Sequence, residues 1–363
     1  MYKYVLKSVL FLINPEIVHR RTIALGEFMG KCKFVRIILS DIFAHTEPNI
    51  SQSLFGMKFR SPIGLAAGFD YEARLTEILP SLGFGFGTVG TLTNHAYNGN
   101  SDPMSGRLPK SRSLLVIKGF KNLGIEATLK KLRSKQILYP IGMSIGKTNS
   151  LDIKTQEEAV KDIIETFRET EQSGVNFAYY ELNISCPNLV GNVEFYNPDH
   201  LNQLLQSLNE ITLTHPVFVK MPISKTNEEI DSMMDVIIQY PFIKAVIIGN
   251  LQQNRDDHSL YPDEVAKFKK GNFSGIPCQE RSNELIRRVY ERHGAAIKII
   301  GCGGVFTAAD AYHKIRLGAS LIQLITGLIF EGPQLVSDIN RGLTRLLRAD
   351  GYNSISDAIG VDA

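Results

Sequence analysis

From residue 51 onward, short apolar runs ending in Gly, Asn or Pro alternate with segments of helical period. The runs are Ile63–Gly68, Gly83–Gly90, Ile141–Gly146, Tyr179–Ser185, Val217–Met221, Ala245–Asn250, Ile297–Gly301 and Leu321–Ile325. Near-continuous apolar runs of this length read as strands buried on both faces. The stretches between them carry helix signals. Thr155 with Glu158, and Thr226 with Glu229, have capping-box spacing ahead of Ala159–Thr170 and Ile230–Gln239. Thr307 and Asp310 open a helix that stops at Gly318, and Leu285–His293 ends at Gly294. Eight strands alternating with helices predict an α/β chain folded as a (β/α)8 TIM barrel. An open doubly wound sheet is the competitor, but no GxGxxG follows the first strand. The segment Thr91–Lys121 reads as a long loop rich in Asn, Gly, Pro and Lys, and long loops in compact domains tend to be functional.

Residues 1–46 have a different pattern. Leu6, Val9, Leu10 and Ile13 recur at helical spacing, with Lys3, Lys7 and Asn14 on another face. Asn14-Pro15 predicts an N-cap and a first helical proline opening a second helix through about Gly30. Ile17, Ile23, Ala24, Leu25, Phe28 and Met29 form its apolar side, and the apolar run Phe34–Leu39 follows. Seven Lys/Arg against two Glu in residues 1–36 make the segment basic as well as amphipathic. That combination predicts helices lying in a membrane interface. The other reading is helices packed on their own barrel. The expected division is a helical extension over 1–46 and a barrel over 47–363.

Composition narrows the function classes. The 44% hydrophobic and 21% charged content is ordinary for a globular chain, and a net charge of +3 gives no sign of a nucleic-acid binder. Cys32, Cys186, Cys278 and Cys302 lack CxxC spacing, which argues against a zinc site or a disulfide framework and fits a reducing compartment. No metal site, signal peptide or membrane-spanning run is expected.

In such a barrel the chemistry collects at the C-terminal strand ends. The richest end is Tyr180-Glu181-Leu182-Asn183-Ile184-Ser185-Cys186-Pro187-Asn188, where an apolar strand gives way to amides, a hydroxyl and a thiol. Gly303-Gly304 and Thr326-Gly327 follow strands seven and eight, where such barrels hold phosphate on backbone N–H groups, with the helix opened at Thr307 adding its dipole. Tight turns are the plainer reading of those glycines. Lys220 lies inside an apolar strand, so it needs either an electron-rich cofactor or a buried carboxylate. Asn183, Asn188 and Asn250 could hold a planar, amide-rich ligand, or simply make turns.

The chain resembles the dihydroorotate dehydrogenases, in particular their membrane-associated, quinone-using class. The resemblance rests on Asn14-Pro15-Glu16…His19, Gly64–Asp70, Gly119–Gly124, Asn183–Asn188, Gly318–Gln323 and Gly327–Pro333, and covers nearly the whole chain. It implies an FMN-containing barrel that oxidises dihydroorotate to orotate in de novo pyrimidine (UMP) biosynthesis. Electrons would pass to a quinone arriving between the N-terminal helices. The flavin would touch Ala67, Gly68, Tyr71, Thr91, Ser144, Asn183, Lys220, Gly249, Gly275, Gly303, Gly304, Ile325, Thr326 and Gly327. The substrate would lie against Asn183, Asn188, Asn250 and the loop carrying Lys118, Gly119 and Phe120. Cys186 falls on the catalytic-base position, taking the proton from substrate C5, and Lys220 would stabilise the reduced flavin. An unperturbed cysteine titrates near ~8.5, far below a serine hydroxyl, and so needs less help to act as a base near neutral pH. A monomer peripherally bound to the cytoplasmic face of the cell membrane is the expected state.

The chain also departs from the family. The quinone class usually has serine where Cys186 stands, and the family lysine after strand one is Tyr71. Its asparagine before Gly119 becomes Val116 or Ile117, depending on a one-residue gap. A threonine is replaced by Leu251 and a tyrosine by Ile325. Lys118 could restore the missing cation. These changes keep open an FMN oxidoreductase of another substrate, or a flavin-binding barrel with a degraded orotate pocket. The thiol base also keeps a soluble-class enzyme using another acceptor in view.

Overall fold

A computed structural model describes the chain except residues 1, 46, 102, 136 and 192 and the side chains at 4 and 5. Eight parallel strands close into a barrel: β1 (Ile63–Leu65), β2 (Phe86–Leu92), β3 (Ile141–Ile145), β4 (Tyr179–Asn183), β5 (Val217–Met221), β6 (Ile243–Ile248), β7 (Lys298–Cys302) and β8 (Ala319–Leu324). Each pairs with the next in sequence, and β8 pairs back onto β1. All eight predicted runs are therefore barrel strands. Both capping boxes form, at Thr155 and Thr226, and Thr307 caps the helix Ala308–Arg316.

Strand alternation sorts the apolar residues into two cores. Tyr180, Leu182, Val217, Val219, Val246, Ile248 and Ile299 face outward onto the helices. Phe86, Tyr179, Phe218, Ala245, Ile247, Ile300 and Leu321 fill the lower barrel interior, joined by Phe59. Two glycines make room for the rings. A Cβ on Gly64 would sit 2.4 Å from the Phe86 ring, and one on Gly142 would sit 2.0 Å from the Tyr179 ring. Each buried large side chain contributes about 1.5–3 kcal/mol. This plugged floor leaves only the C-terminal end of the barrel open to chemistry.

Two small sheets escaped the sequence pattern. Gln52–Leu54 and Met57–Phe59 form a hairpin across the barrel floor, turning on Phe55 and Gly56, both at positive φ. The segment read as a loop, Thr91–Lys121, contains strands Ser105–Leu108 and Ser113–Val116. With Asn272–Phe273 they make an antiparallel sheet beside the barrel mouth. Leu108, Leu115, Ile117, Leu260, Val265 and Phe273 give that sheet its own small core.

A π-helical turn, Tyr2–Leu6, leads into α1 (Lys7–Leu12), followed by α2 (Pro15–Lys31) and α3 (Lys33–Phe43). The Asn14 side chain accepts from the N–H groups of Glu16 and Ile17, so the predicted cap opens α2. The expected end of the extension, residue 46, lies outside the described residues. One face of this extension packs on the barrel: Ile23 and Gly30 are buried, and Met29 and Leu39 join the main core. The other face leaves Leu12 88%, Phe28 73% and Phe34 70% exposed, with Val9, Leu25, Ile37 and Ile42 also open. One face of the N-terminal helices is thus packed on the barrel, and the other is apolar and exposed. No helix among the described residues is long and apolar enough to cross a membrane.

Candidate active site

Above the aromatic floor the inward positions turn polar. Register places Glu181 beside Ser144 and Asn183 beside Lys220. Asn183 Nδ2 donates to Thr91 Oγ1 at 2.8 Å, Thr91 and Ser144 share a hydroxyl bond of 2.8 Å, and Ser144 Oγ donates to Glu181 Oε1 at 2.9 Å. Lys220 Nζ stands 3.8 Å from the same carboxylate oxygen, and Glu181 is fully buried. That distance makes an ion pair but no hydrogen bond, so the ammonium keeps donors to offer toward the mouth. Glu181 Oε2 is buried without a partner. Of the two sequence readings of Lys220, the buried carboxylate is present, and cofactor-facing capacity remains beside it.

The β4 end forms an amide-lined rim. Asn183 Oδ1 accepts from the Ser185 hydroxyl at 3.0 Å, and Asn250 Nδ2 donates to Ser185 Oγ. Ser185 therefore ties β4 to the residue after β6. Asn188 Oδ1 accepts from Asn272 at 2.8 Å. Asn100 Nδ2 donates to the carbonyls of Ile117 and Asn188, and Asn149 Nδ2 donates to Gly119 O at 3.0 Å. Cys186 is half-buried at this rim. Burial pushes its thiol up to about 11, against the Asn188 backbone hydrogen bond and the Lys220 charge, which pull it down. The surroundings therefore hold the proton on and narrow the advantage expected of a thiol over a serine hydroxyl.

Across the mouth, the site is built from backbone. Gly249, Gly275, Gly303 and Gly304 all lie at positive φ. A Cβ on Gly249 would fall 2.0 Å from Cys302 O, on Gly275 2.3 Å from Arg112 O, and on Gly304 2.3 Å from Gln279 Cβ. Ser274 and Thr326 hydroxyls pair at 2.7 Å at the edge of this cradle. The geometry fits an anionic group held by N–H donors. At the helix expected to add its dipole, Thr307 Oγ1 accepts from Asp310 N, and the Asp310 carboxylate of the first turn accepts from Phe306 N just ahead of the cap. Ile325 lines the wall facing Gly68, its Cδ1 lying 3.9 Å from where a Cβ would be.

The remaining predicted residues cluster where α2 meets the rim. Phe120 lies against Gly146, whose Cβ would fall 2.6 Å from its ring and 3.2 Å from Asn183 O. Lys118 Nζ pairs with Glu16 Oε1 at 3.1 Å and sits 5.2 Å over the Tyr71 ring. His19 stacks on Tyr71 at 5.5 Å, and its Nε2 bonds Phe69 O at 2.9 Å. Ile117 points into the small sheet's core, leaving Val116 on the opposite strand face.

The structure thus gathers the predicted residues around one mouth, and adds Glu181, Asn100, Asn149, Asn272 and Glu16. Glu181 carried a signal, since a charge inside an apolar strand raises the same question as Lys220. The asparagines carried none, because loop-to-loop pairing sets their roles.

Comparison with known proteins is consistent across sequence and structure. The family profile described as "Dihydroorotate dehydrogenase" matches residues 49–347. A protein of Trichodesmium erythraeum named dihydroorotate dehydrogenase (quinone) is 33% identical, covering 99% of this chain and 98% of its own. A protein of the same name from Nocardia farcinica is 33% identical, covering 100% and 97%. Among solved structures, a dihydroorotate dehydrogenase of Eimeria tenella in complex with ferulenol superposes with a TM-score of 0.82 at 25% identity, covering 96% of this chain and 95% of that one.

Proposed function

Because the chain belongs to the dihydroorotate dehydrogenase family, we propose that its flavin is FMN, its base Cys186 and its electron acceptor a membrane quinone. The family is flavin-dependent and oxidises dihydroorotate in pyrimidine biosynthesis, and this chain is an oxidoreductase acting on a CH–CH pair. The observation that carries the finer reading is the meeting of two half-sites at one mouth. The glycine cradle after β6, β7 and β8 suits a phosphate, and the amide rim after β4 and β6 suits a pyrimidine. Lys220 and the orphaned Glu181 oxygen lie between them.

A bound flavin supplies the hydride acceptor. Thr91, Ser144 and Asn183 hold the floor under it through their hydroxyl and amide chain. Lys220 offers positive charge from below, partly balanced by Glu181, which suits a ring that gains negative charge on reduction. Asn183, Asn188 and Asn250 present amides to the substrate's edge and restrict its orientation. Cys186 stands beside them and takes the C5 proton. Its raised pKa means the thiol must first lose its own proton, so proton removal by this group becomes easier as pH rises.

The exposed apolar side of α2 and α3, bordered by basic residues, fits a peripheral seat on the cytoplasmic face of a membrane. A quinone would reach the mouth past Glu16, His19 and Tyr71. The protein acts as a monomer in this reading. Anaerobic mixing of the purified protein with dihydroorotate, following flavin bleaching, tests the core of the proposal. Rapid bleaching, and reoxidation by a ubiquinone analogue but not by fumarate, is expected. Tyr71 and Leu251 favour one alternative, oxidation of a different unsaturable substrate; a flavin that dihydroorotate leaves oxidised would turn the reading toward it.

A further inference from the structure

The substrate named in the proposed function carries a carboxylate, so its site needs a cation. Besides Lys121, whose Nζ lies against Met104 Sδ at 4.0 Å in the cavity beside Glu16 and Tyr71, three lysines approach the mouth. Lys220 is deep and paired with Glu181. Lys147 is buried, with its Nζ turned onto the carbonyls of Thr148 and Val190 at 3.3 and 3.5 Å. Lys118 alone of the three stands at the rim. Its neighbours on both sides are fixed, since Ile117 O accepts from Asn100 and Gly119 O from Asn149. Its side chain lies over the ring of Tyr71, the residue that follows the β1 end, and keeps 17% of its surface open. A cation from the 118–120 loop therefore occupies the space over position 71.

What holds that cation comes from the N-terminal extension. Glu16, in the first turn of α2, receives Lys118 at 3.1 Å and the Ser105 hydroxyl at 2.6 Å on the same oxygen. One turn on, His19 stacks on Tyr71 as well. The carboxylate is nearly as shielded as the ammonium, at 23% exposure. An anion arriving at the rim meets an ammonium already shared with Glu16.

We propose that Lys118 is the carboxylate-binding cation of the substrate site, and that Glu16 restrains it, so that α2 sets substrate affinity as well as acceptor access. This rests on the reading of the rim as an orotate site. Glu16 competes with the substrate for one ammonium and also repels it, so removing the Glu16 charge frees the cation for the substrate.

The test is anaerobic titration of the full-length holoprotein with orotate, reading the flavin absorbance shift to obtain Kd without turnover. Lys118→Met is expected to weaken orotate about tenfold or more, while Lys118→Arg stays within about threefold. Glu16→Gln is expected to tighten it several-fold, and that gain is expected to vanish in the K118M background. Adding Tyr71→Lys to K118M, which returns a cation from the β1 side, is expected to recover most of the lost affinity. Flavin occupancy and melting temperature are followed alongside, so that a variant that fails to fold is replaced as evidence by K118R and E16Q. An unchanged Kd in folded K118M overturns the inference alone, as does a Glu16→Gln effect of the same size with and without Lys118. No absorbance shift with orotate in the unaltered protein overturns the orotate reading, and this inference with it.

Discussion

At the ends of β6, β7 and β8 the site is made of backbone, whereas at the ends of β1 and β4 and along residues 118–120 it is made of side chains. The backbone half depends on four glycines at positive φ whose Cβ positions are filled by neighbouring atoms. Apart from the Ser274–Thr326 hydroxyl pair at its edge the cradle is made by main chain, and Ile325 contributes only apolar wall facing Gly68. The side-chain half depends on identities, and identities can be exchanged in pairs. A tyrosine at 71 comes with a lysine at 118, and that lysine comes with Glu16 at 3.1 Å. The difference teaches what each half asks of the sequence: backbone N–H groups ask only for glycines that permit the turn, while side-chain contacts ask for particular residues in matched positions.

The comparison can be broken by separating flavin retention from chemistry. Cys186→Ala should lose about 10²–10⁴-fold in the rate of flavin bleaching by dihydroorotate while flavin stays bound. Loss of flavin together with the rate would erase the distinction between the halves. In the unaltered protein the thiol, raised to about 11 by burial, is protonated at neutral pH. The thiolate fraction rises about tenfold per pH unit below that value. Stopped-flow bleaching should therefore accelerate with pH without a plateau below about pH 10. A plateau near 8.5 would mean that bound ligands relieve the desolvation.

Lys220→Met leaves the Glu181 carboxylate buried with only Ser144, which should cost about 3–5 kcal/mol of stability. Denaturant unfolding of K220M against a K220M/E181Q double variant measures it, with the double variant expected to recover much of the loss. Equal midpoints would show that the pair is not coupled. On the other side of the mouth, Gly304→Ala forces a Cβ to 2.3 Å from Gln279 Cβ at a φ of +69°. Strain of about 1–3 kcal/mol should weaken flavin binding by roughly 10–100-fold, with the Asn183–Asn188 rim intact. Flavin released on dilution, measured by fluorescence, reads this directly.

The barrel was legible because its strands are apolar on both faces, and each announces itself as an unbroken run. The two small sheets were not, because their strands are two to four residues long and one lies in a segment dominated by Gly, Pro and Asn. Within the site, the glycines and Lys220 could be read because each breaks a local rule. Glu181 breaks the same rule as Lys220, yet was passed over inside a motif read for its amides. Asn100 reaches Asn188 across 88 positions, and Glu16 lies far upstream of Lys118 in sequence, so no local pattern could have paired either. The Thr307 helix shows the converse: its cap is spelled out locally by Thr307 and Asp310, three residues apart, and forms as that spacing predicts.

The smallest effect lies at the hinge between the extension and the rim. His19 is held neutral, its pKa pushed down to about 4 by burial first and by the Lys118 charge second, against the Phe69 carbonyl and Glu16. Lys121 adds to the depression. Glu16 keeps a lowered pKa despite its burial, through Lys118 and Ser105. In the undocked helix His19 would titrate near ~6.5. The undocked state thus binds the proton more readily, and docking loses stability as pH falls through about 6.5, levelling off below about 4. The loss is expected as local opening of α2 of about 1–2 kcal/mol, less than global unfolding. Hydrogen exchange of residues 15–31, corrected for intrinsic rate, should quicken between pH 7 and pH 5 while β4 and β5 stay protected. His19→Gln should flatten that dependence. Equal protection of α2 at both pH values in the unaltered protein would remove the link between the histidine's burial and the seating of the helix, and would leave Glu16 and Lys118 as its main polar tie to the rim.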